Sequence, residues 1–247
     1  MNMESNTVLI TGASSGIGLD VARGFIDAGA NVVLNARNAE RLEAAADALG
    51  HRDRIALVPG DIGNPETGVN LVNAAVQRFG SVDVLVNNAG IFGLKPFLEN
   101  TEMDLDAYIN INLKGTYFVT QAVVRQMNKQ EPKGGSIINI GTVLIAHPSA
   151  SLPASAALIT KGGVHALTTS LASELAVDNI RVNAVAPGVI RTPIYGDADI
   201  DVLGATALLN RAGEVDEITE AVVHLASANY TTGVIMPVDG GYVHGRA

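Results

Sequence analysis

No cysteine occurs in the 247 residues, which excludes a disulfide, a thiol nucleophile and a thiolate metal site. That suits a reducing compartment, so the cytoplasm is the expected location, and no metal site is expected. Aromatic residues make up only 4% of a chain that is 47% hydrophobic, so its core must be built from Val, Ile, Leu and Ala. Basic residues are also scarce: 16 Lys and Arg face 25 Asp and Glu, a net charge of -9 that would repel nucleic acid and an anionic membrane surface. Long apolar runs are missing as well. Residues 136–146 are interrupted by Asn139 and Gly141 and fall well short of the ~20 residues a membrane span needs. The first residues, with Glu4 among them, are polar where a secretory signal would be basic and then apolar, so no export is expected.

What is present is an alternation of short apolar runs and helical periodicity. Strands are expected at residues 7–10, 31–35, 55–59, 82–87, 136–140, 181–185 and 234–238, with helices at 19–28, 40–48, 70–79, 105–127, 154–175 and 215–226. A looser stretch covers residues 190–213. No linker divides the chain, so residues 1–247 are expected to form one domain. Repeated β-α-β units with right-handed crossovers imply an α/β fold: a doubly wound parallel sheet of about seven strands with helices on both faces, its ligand beyond the strands' C-terminal ends.

The first strand breaks into Thr11-Gly12-Ala13-Ser14-Ser15-Gly16-Ile17-Gly18 and then a helix. Small residues there let backbone N–H groups and the helix N-terminus reach a pyrophosphate. The second strand ends in Asn35-Ala36-Arg37. A carboxylate at this place would bond the ribose of NAD, whereas a cation would pair with the extra phosphate of NADP, so Arg37 favours NADP(H) over NAD(H). A solvated arginine at a helix entry is the other reading.

The glycine spacing matches the Thr-Gly-x-x-x-Gly-x-Gly pattern of short-chain dehydrogenases, and the chain resembles that Rossmann-fold family from end to end. Asp61-Ile62, Asn87-Asn88-Ala89-Gly90 and Pro187-Gly188-Val189-Ile190-Arg191-Thr192 each follow an expected strand and strengthen the likeness. The resemblance implies that these segments touch the adenine, support the central sheet and hold the nicotinamide. The implied cofactor contacts are Gly12, Ser14, Ser15, Gly16, Ile17, Gly18, Arg37, Asp61, Ile62, Asn88, Ala89, Gly90, Lys161, Pro187, Gly188, Ile190 and Thr192.

The family's catalytic set is an asparagine, a serine, a tyrosine and, four residues after the tyrosine, a lysine. By resemblance Asn112 takes the place of the asparagine, Thr142 that of the serine and Lys161 that of the lysine. Four residues before Lys161 stands Ala157, and no tyrosine lies between Tyr117 and Tyr195. The stretch from Thr142 to Lys161 is also about two residues longer than the family's usual spacing. A free phenol needs a nearby cation to lower its pKa from about 10, which is the lysine's usual service. Without the phenol, the proton must come from elsewhere: Ser155, His147, Tyr195, or a water held by Lys161 and Asn112. His147 also reads as an ordinary solvated loop histidine.

Two functions follow. One is an oxidoreductase using NADP(H) on a small carbonyl or alcohol with a nonstandard proton donor. The other is a dinucleotide-binding sensor or scaffold without turnover. The helices at 105–127 and 154–175 carry apolar residues on more than one face, which implies a homo-oligomer, and the resemblance makes it a dimer or tetramer.

Overall fold

Seven short aliphatic runs become the seven strands of one parallel sheet: β1 Thr7–Thr11, β2 Asn31–Ala36, β3 Ile55–Pro59, β4 Val84–Asn87, β5 Gly135–Ile140, β6 Ile180–Pro187 and β7 Ile235–Val238. The computed structural model describes residues 3–245; Met1 and Asn2 of the polar N-terminus lie outside them, as do the last two residues. The strand order is β3-β2-β1-β4-β5-β6-β7, every pairing parallel. This is the Rossmann arrangement. Connections run outward in opposite directions from β1 and β4, so the loops after these strands diverge and leave a crevice at the sheet's C-terminal edge.

Side chains alternate across the sheet. Val8, Ile10, Val32 and Leu34 face one layer, packing on helices α1 (Gly16–Asp27), α2 (Ala39–Leu49) and, late in the chain, Val215–Ser227 through Phe25, Leu42, Val222 and Leu225. Leu9, Val33, Leu85, Ile137 and Val182 face the other layer, formed by α3 (Pro65–Phe79) with helices Thr116–Met127 and Ser155–Glu174. With buried faces on both sides, the strands are continuous apolar runs, and no helix among the described residues is long and apolar enough to cross a membrane.

Two boundaries moved from the expected ones because caps lie in polar sequence. The glycine loop itself opens α1 at Gly16 rather than residue 19, and α3 starts at Pro65 rather than residue 70, where Asn64 Oδ1 accepts the Glu66 N–H. The expected helix at 105–127 is a larger correction. It comprises α4 (Glu102–Tyr108), a wider π-helical stretch at Ile109–Gly115 and α5 (Thr116–Met127). Asn112 sits in the wide stretch, which ends at Gly115, where a Cβ would fall 2.8 Å from the Ile62 side chain. After α6 (Ser155–Glu174), the stretch at 190–213 contains a short helix, α7 (Ile200–Gly204), followed by α8 (Val215–Ser227).

A buried polar chain fixes the second layer to the sheet. Asn87 Nδ2 donates to Thr120 Oγ1 on α5 and to Asn139 Oδ1 on β5, and Asn139 Nδ2 donates to Thr168 Oγ1 on α6. These bonds hold both helices in register with the strand ends that carry the site.

Candidate functional site

Two joined cavities occupy the crevice. One, of about 530 Å³, runs from the glycine loop to the ends of β2 and β3; the other, of about 360 Å³, lies over β5 and β6. Asn88, Gly90, Ile91 and Thr192 line both, so the two form one continuous cleft.

The glycines of the first cavity are required by close approach. Gly12 has φ +67° and a Cβ there would lie 2.8 Å from Ala89 Cα, while a Cβ on Gly18 would lie 2.4 Å from both Asn88 Nδ2 and Gly12 O. Thr11 Oγ1 accepts the N–H groups of Asn88 and Ala89, and Asn88 Nδ2 donates to the carbonyls of Thr11 and Gly12, locking the loops after β1 and β4 together. Ser15 opens α1 without a side-chain cap, and no acid stands in the first turn. The first N–H groups of the helix therefore face the cavity with their partial positive charge uncompensated, which fits the pyrophosphate of a dinucleotide.

Gly12, Ser14, Ser15, Gly16, Ile17, Asp61, Ile62 and Ala89 line this first cavity, and so does exposed Arg37. Arg41, one helical turn further on, lines it too and was missed in the sequence. The spacing of four residues at a helix entry was the available signal: Asn38 Oδ1 accepts the Arg41 N–H and starts α2, so positions 37 and 41 share one edge. Gly18 supports the loop from behind rather than lining the cavity.

The second cavity is walled by Thr142, Lys161, Pro187, Gly188 and Ile190 beneath a largely apolar rim that includes Leu94, Leu144 and Leu152. Lys161 Nζ donates to Ile140 O at 2.6 Å. Burial alone lowers its pKa from 10.5 to about 8, because the cleft withholds water from the ammonium and no carboxylate compensates. Gly90 stands next to it: a Cβ there would be 3.4 Å from Lys161 Nζ and 3.1 Å from Asn112 Oδ1.

Asn112 is buried behind this wall and fully engaged. Its Oδ1 accepts the Ile91 N–H at 2.8 Å, and its Nδ2 donates to Ile91 O and to Thr160 Oγ1 on α6. The side chain thus straps the loop after β4 to α6. His165, four residues after Lys161, is a second supporting residue that sequence reasoning missed: its Nε2 accepts the Thr142 N–H at 3.4 Å. Its pKa is lowered, first by burial and then by the charge of Lys161, which keeps it a neutral acceptor.

Ala157 is buried on α6 and lines neither cavity. Ser155 is exposed and outside both, and exposed His147 stands edge-on to Tyr242 with 5.4 Å between ring centroids. Two phenols do line the second cavity. Tyr195, expected as one possibility, has its pKa raised by burial, with the Ile190 amide bonding its oxygen. Tyr242, not expected, comes from the C-terminal segment and packs with Val143 and Ala186. Its distance along the chain hid it.

Comparison with known proteins gives a consistent picture. Residues 6–202 match the short chain dehydrogenase family. A 3-oxoacyl-[acyl-carrier-protein] reductase of Thermotoga maritima is 38% identical over 98% of this chain and 100% of its own length. An L-rhamnose 1-dehydrogenase (NAD(P)(+)) of a Sphingomonas species is 37% identical over 97% of this chain and 96% of its own. Among solved structures, a 3-ketoacyl-(acyl-carrier-protein) reductase from Brucella melitensis complexed with NADH superposes with a TM-score of 0.92 at 31% identity, covering 98% of this chain and 100% of that one.

Proposed function

This chain belongs to the short-chain dehydrogenase/reductase family, and from that premise we propose that it is an oxidoreductase acting between NADP(H) and a carbonyl or alcohol, with a proton source other than the usual tyrosine. The observation that carries the reading is that Lys161, bonded through Nζ to Ile140 O, and Thr142 both line one continuous cleft whose other half suits a dinucleotide. A reduced nicotinamide would supply the hydride. The chain's own part is to hold the pyrophosphate at the N-terminus of α1, to orient a substrate oxygen with the Thr142 hydroxyl, and to deliver a proton inside an apolar pocket.

In this reading Gly12, Ser14, Ser15, Gly16, Ile17 and Gly18 form the phosphate loop, Asp61 and Ile62 the adenine wall, Asn88, Ala89 and Gly90 the support at the end of the central strand β4, and Lys161, Pro187, Gly188, Ile190 and Thr192 the nicotinamide wall. Arg37 and Arg41 favour NADP(H), since both line the cavity where β2 ends and no acid of that strand or turn does. Ala157 stands where the family's tyrosine would be. The relatives' names span a 3-oxoacyl-[acyl-carrier-protein] and L-rhamnose, so the substrate is read from the pocket alone: a small or modest carbonyl compound.

Ala157 also favours a second reading, a cofactor-bound sensor or scaffold without turnover. Fluorescence titration with NADPH and NADH, followed by a carbonyl panel on the native protein and on Ala157→Tyr, separates them. Tighter NADPH binding with native turnover supports the oxidoreductase; binding with turnover only in Ala157→Tyr supports the binder; no binding of either dinucleotide overturns both.

We place the protein in the cytoplasm as a homo-oligomer. Ile159 is 68% exposed on α6 and Tyr117 48% exposed on α5, on the helices that would meet a second copy.

A further inference from the structure

Three titratable side chains line the cavity over β5 and β6: Lys161, Tyr195 and Tyr242. Resting on the oxidoreductase reading above, we propose that the Lys161 ammonium is itself the acid that protonates the substrate oxygen, delivering the proton from Nζ without a phenol between.

The geometry leaves Nζ free to do this. One of its three N–H bonds is spent on Ile140 O, and among the described residues no other protein acceptor takes either of the remaining two. The groups packed around it are uncharged: Gly90 and Asn112 on one side, Ile140 and Thr142 on β5 and its following turn, and the two phenols across the cavity. His165, four residues along the same helix, has its own pKa lowered by burial and then by the Lys161 charge, so it stands beside the ammonium as a neutral ring. Ala157, one turn earlier on α6, carries only a methyl group and lines neither cavity, whereas Lys161 does line this one.

The competing phenols are less well suited. Tyr195 holds its proton more firmly for being buried, and Tyr242 is packed on Val143 and Ala186 with its ring edge-on to His147. Lys161, at about 8, is the one group in the cavity poised to release a proton near neutral pH.

The step balances simply. As the carbonyl carbon accepts the hydride, its π electrons move to oxygen; an N–H bond of Lys161 breaks, an O–H bond forms, and a neutral amine remains. Water returns the proton to the amine before the next turnover.

The test begins without cofactor. NMR of ¹⁵N-labelled lysine side chains, with Lys161 assigned from its loss in Lys161→Arg, is expected to give a midpoint near 8; an ammonium that stays charged past pH of about 10 would overturn the proposal. In the reductive direction, kcat/KM is expected to fall tenfold per pH unit above the same midpoint, and the limb should keep its position in Tyr195→Phe and Tyr242→Phe whatever happens to its height. A limb abolished by either phenylalanine assigns the proton to that phenol instead. Lys161→Ala should lose about 10²–10⁴ in rate and regain part of it with small primary amines. Dinucleotide fluorescence reads the underlying function separately: protein that binds NADPH and turns over, yet shows no amine rescue, sinks the acid role alone.

Discussion

His165 closes its imidazole over Gly141: a Cβ at position 141 would fall 2.1 Å from Nε2, the same nitrogen that accepts the Thr142 N–H. The absence of a side chain at 141 and the imidazole at 165 are thus two halves of one contact, and together they set the backbone from which Thr142 faces the cleft. Gly141→Ala should force the ring away and cost about 1–3 kcal/mol, read as a lower urea midpoint, with kcat falling as Thr142 shifts. An unchanged midpoint and unchanged kcat would show that the contact positions nothing.

The same histidine gives a pH dependence. Its pKa in the fold lies below the ordinary 6.5, so below that value the unfolded chain takes up a proton that the folded chain refuses. Stability should therefore be full above about 6.5 and decline as the pH falls through it. Urea unfolding from pH 7 to pH 5, run beside His165→Phe, checks this: the variant should show a shallower decline, and parallel curves would assign the loss to other groups.

Cofactor choice should reside in two arginines. Arg37→Ala and Arg41→Ala are each expected to weaken NADPH binding about tenfold or more, as loss of one charge-assisted contact implies, while leaving NADH within a few-fold. Equal weakening of both dinucleotides would mean that these side chains do not read the 2′-phosphate.

The surface of α6 should be a subunit contact. Ile159→Glu places a charge on a 68% exposed apolar position, and light scattering should show a smaller species than the native oligomer. A native monomer would contradict the assembly.

The alternation of strands and helices was legible because buried parallel strands leave uninterrupted Val, Ile and Leu runs between helical patterns. So was most of the cleft, since the loops that build it directly follow those strands. Periodicity did not reveal the widened turn at Ile109–Gly115, because a π-helical stretch keeps the apolar spacing nearly intact while rotating Asn112 behind the wall. Arg41, His165 and Tyr242 escaped for a related reason. Each reaches the site through tertiary placement: one from a helix edge, one from a contact with a glycine 24 residues earlier, and one from the far end of the chain. A water held by Lys161 and Asn112 was one of the expected proton sources; what the sequence did not reveal is that both amide protons of Asn112 bond Ile91 O and Thr160 Oγ1, which also makes the side chain a strap.

Whether the protein turns over is read most directly from hydride transfer itself. Native protein would be incubated with NADPH deuterated at C4 and a panel of small ketones, and the products analysed by mass spectrometry for deuterium at the carbinol carbon. Deuterated alcohol is expected from the native chain, formed slowly and lost in Lys161→Ala. NADPH bound by the native protein with no deuterated product, while Ala157→Tyr yields it from the same panel, would overturn the oxidoreductase and leave a cofactor-binding protein without turnover.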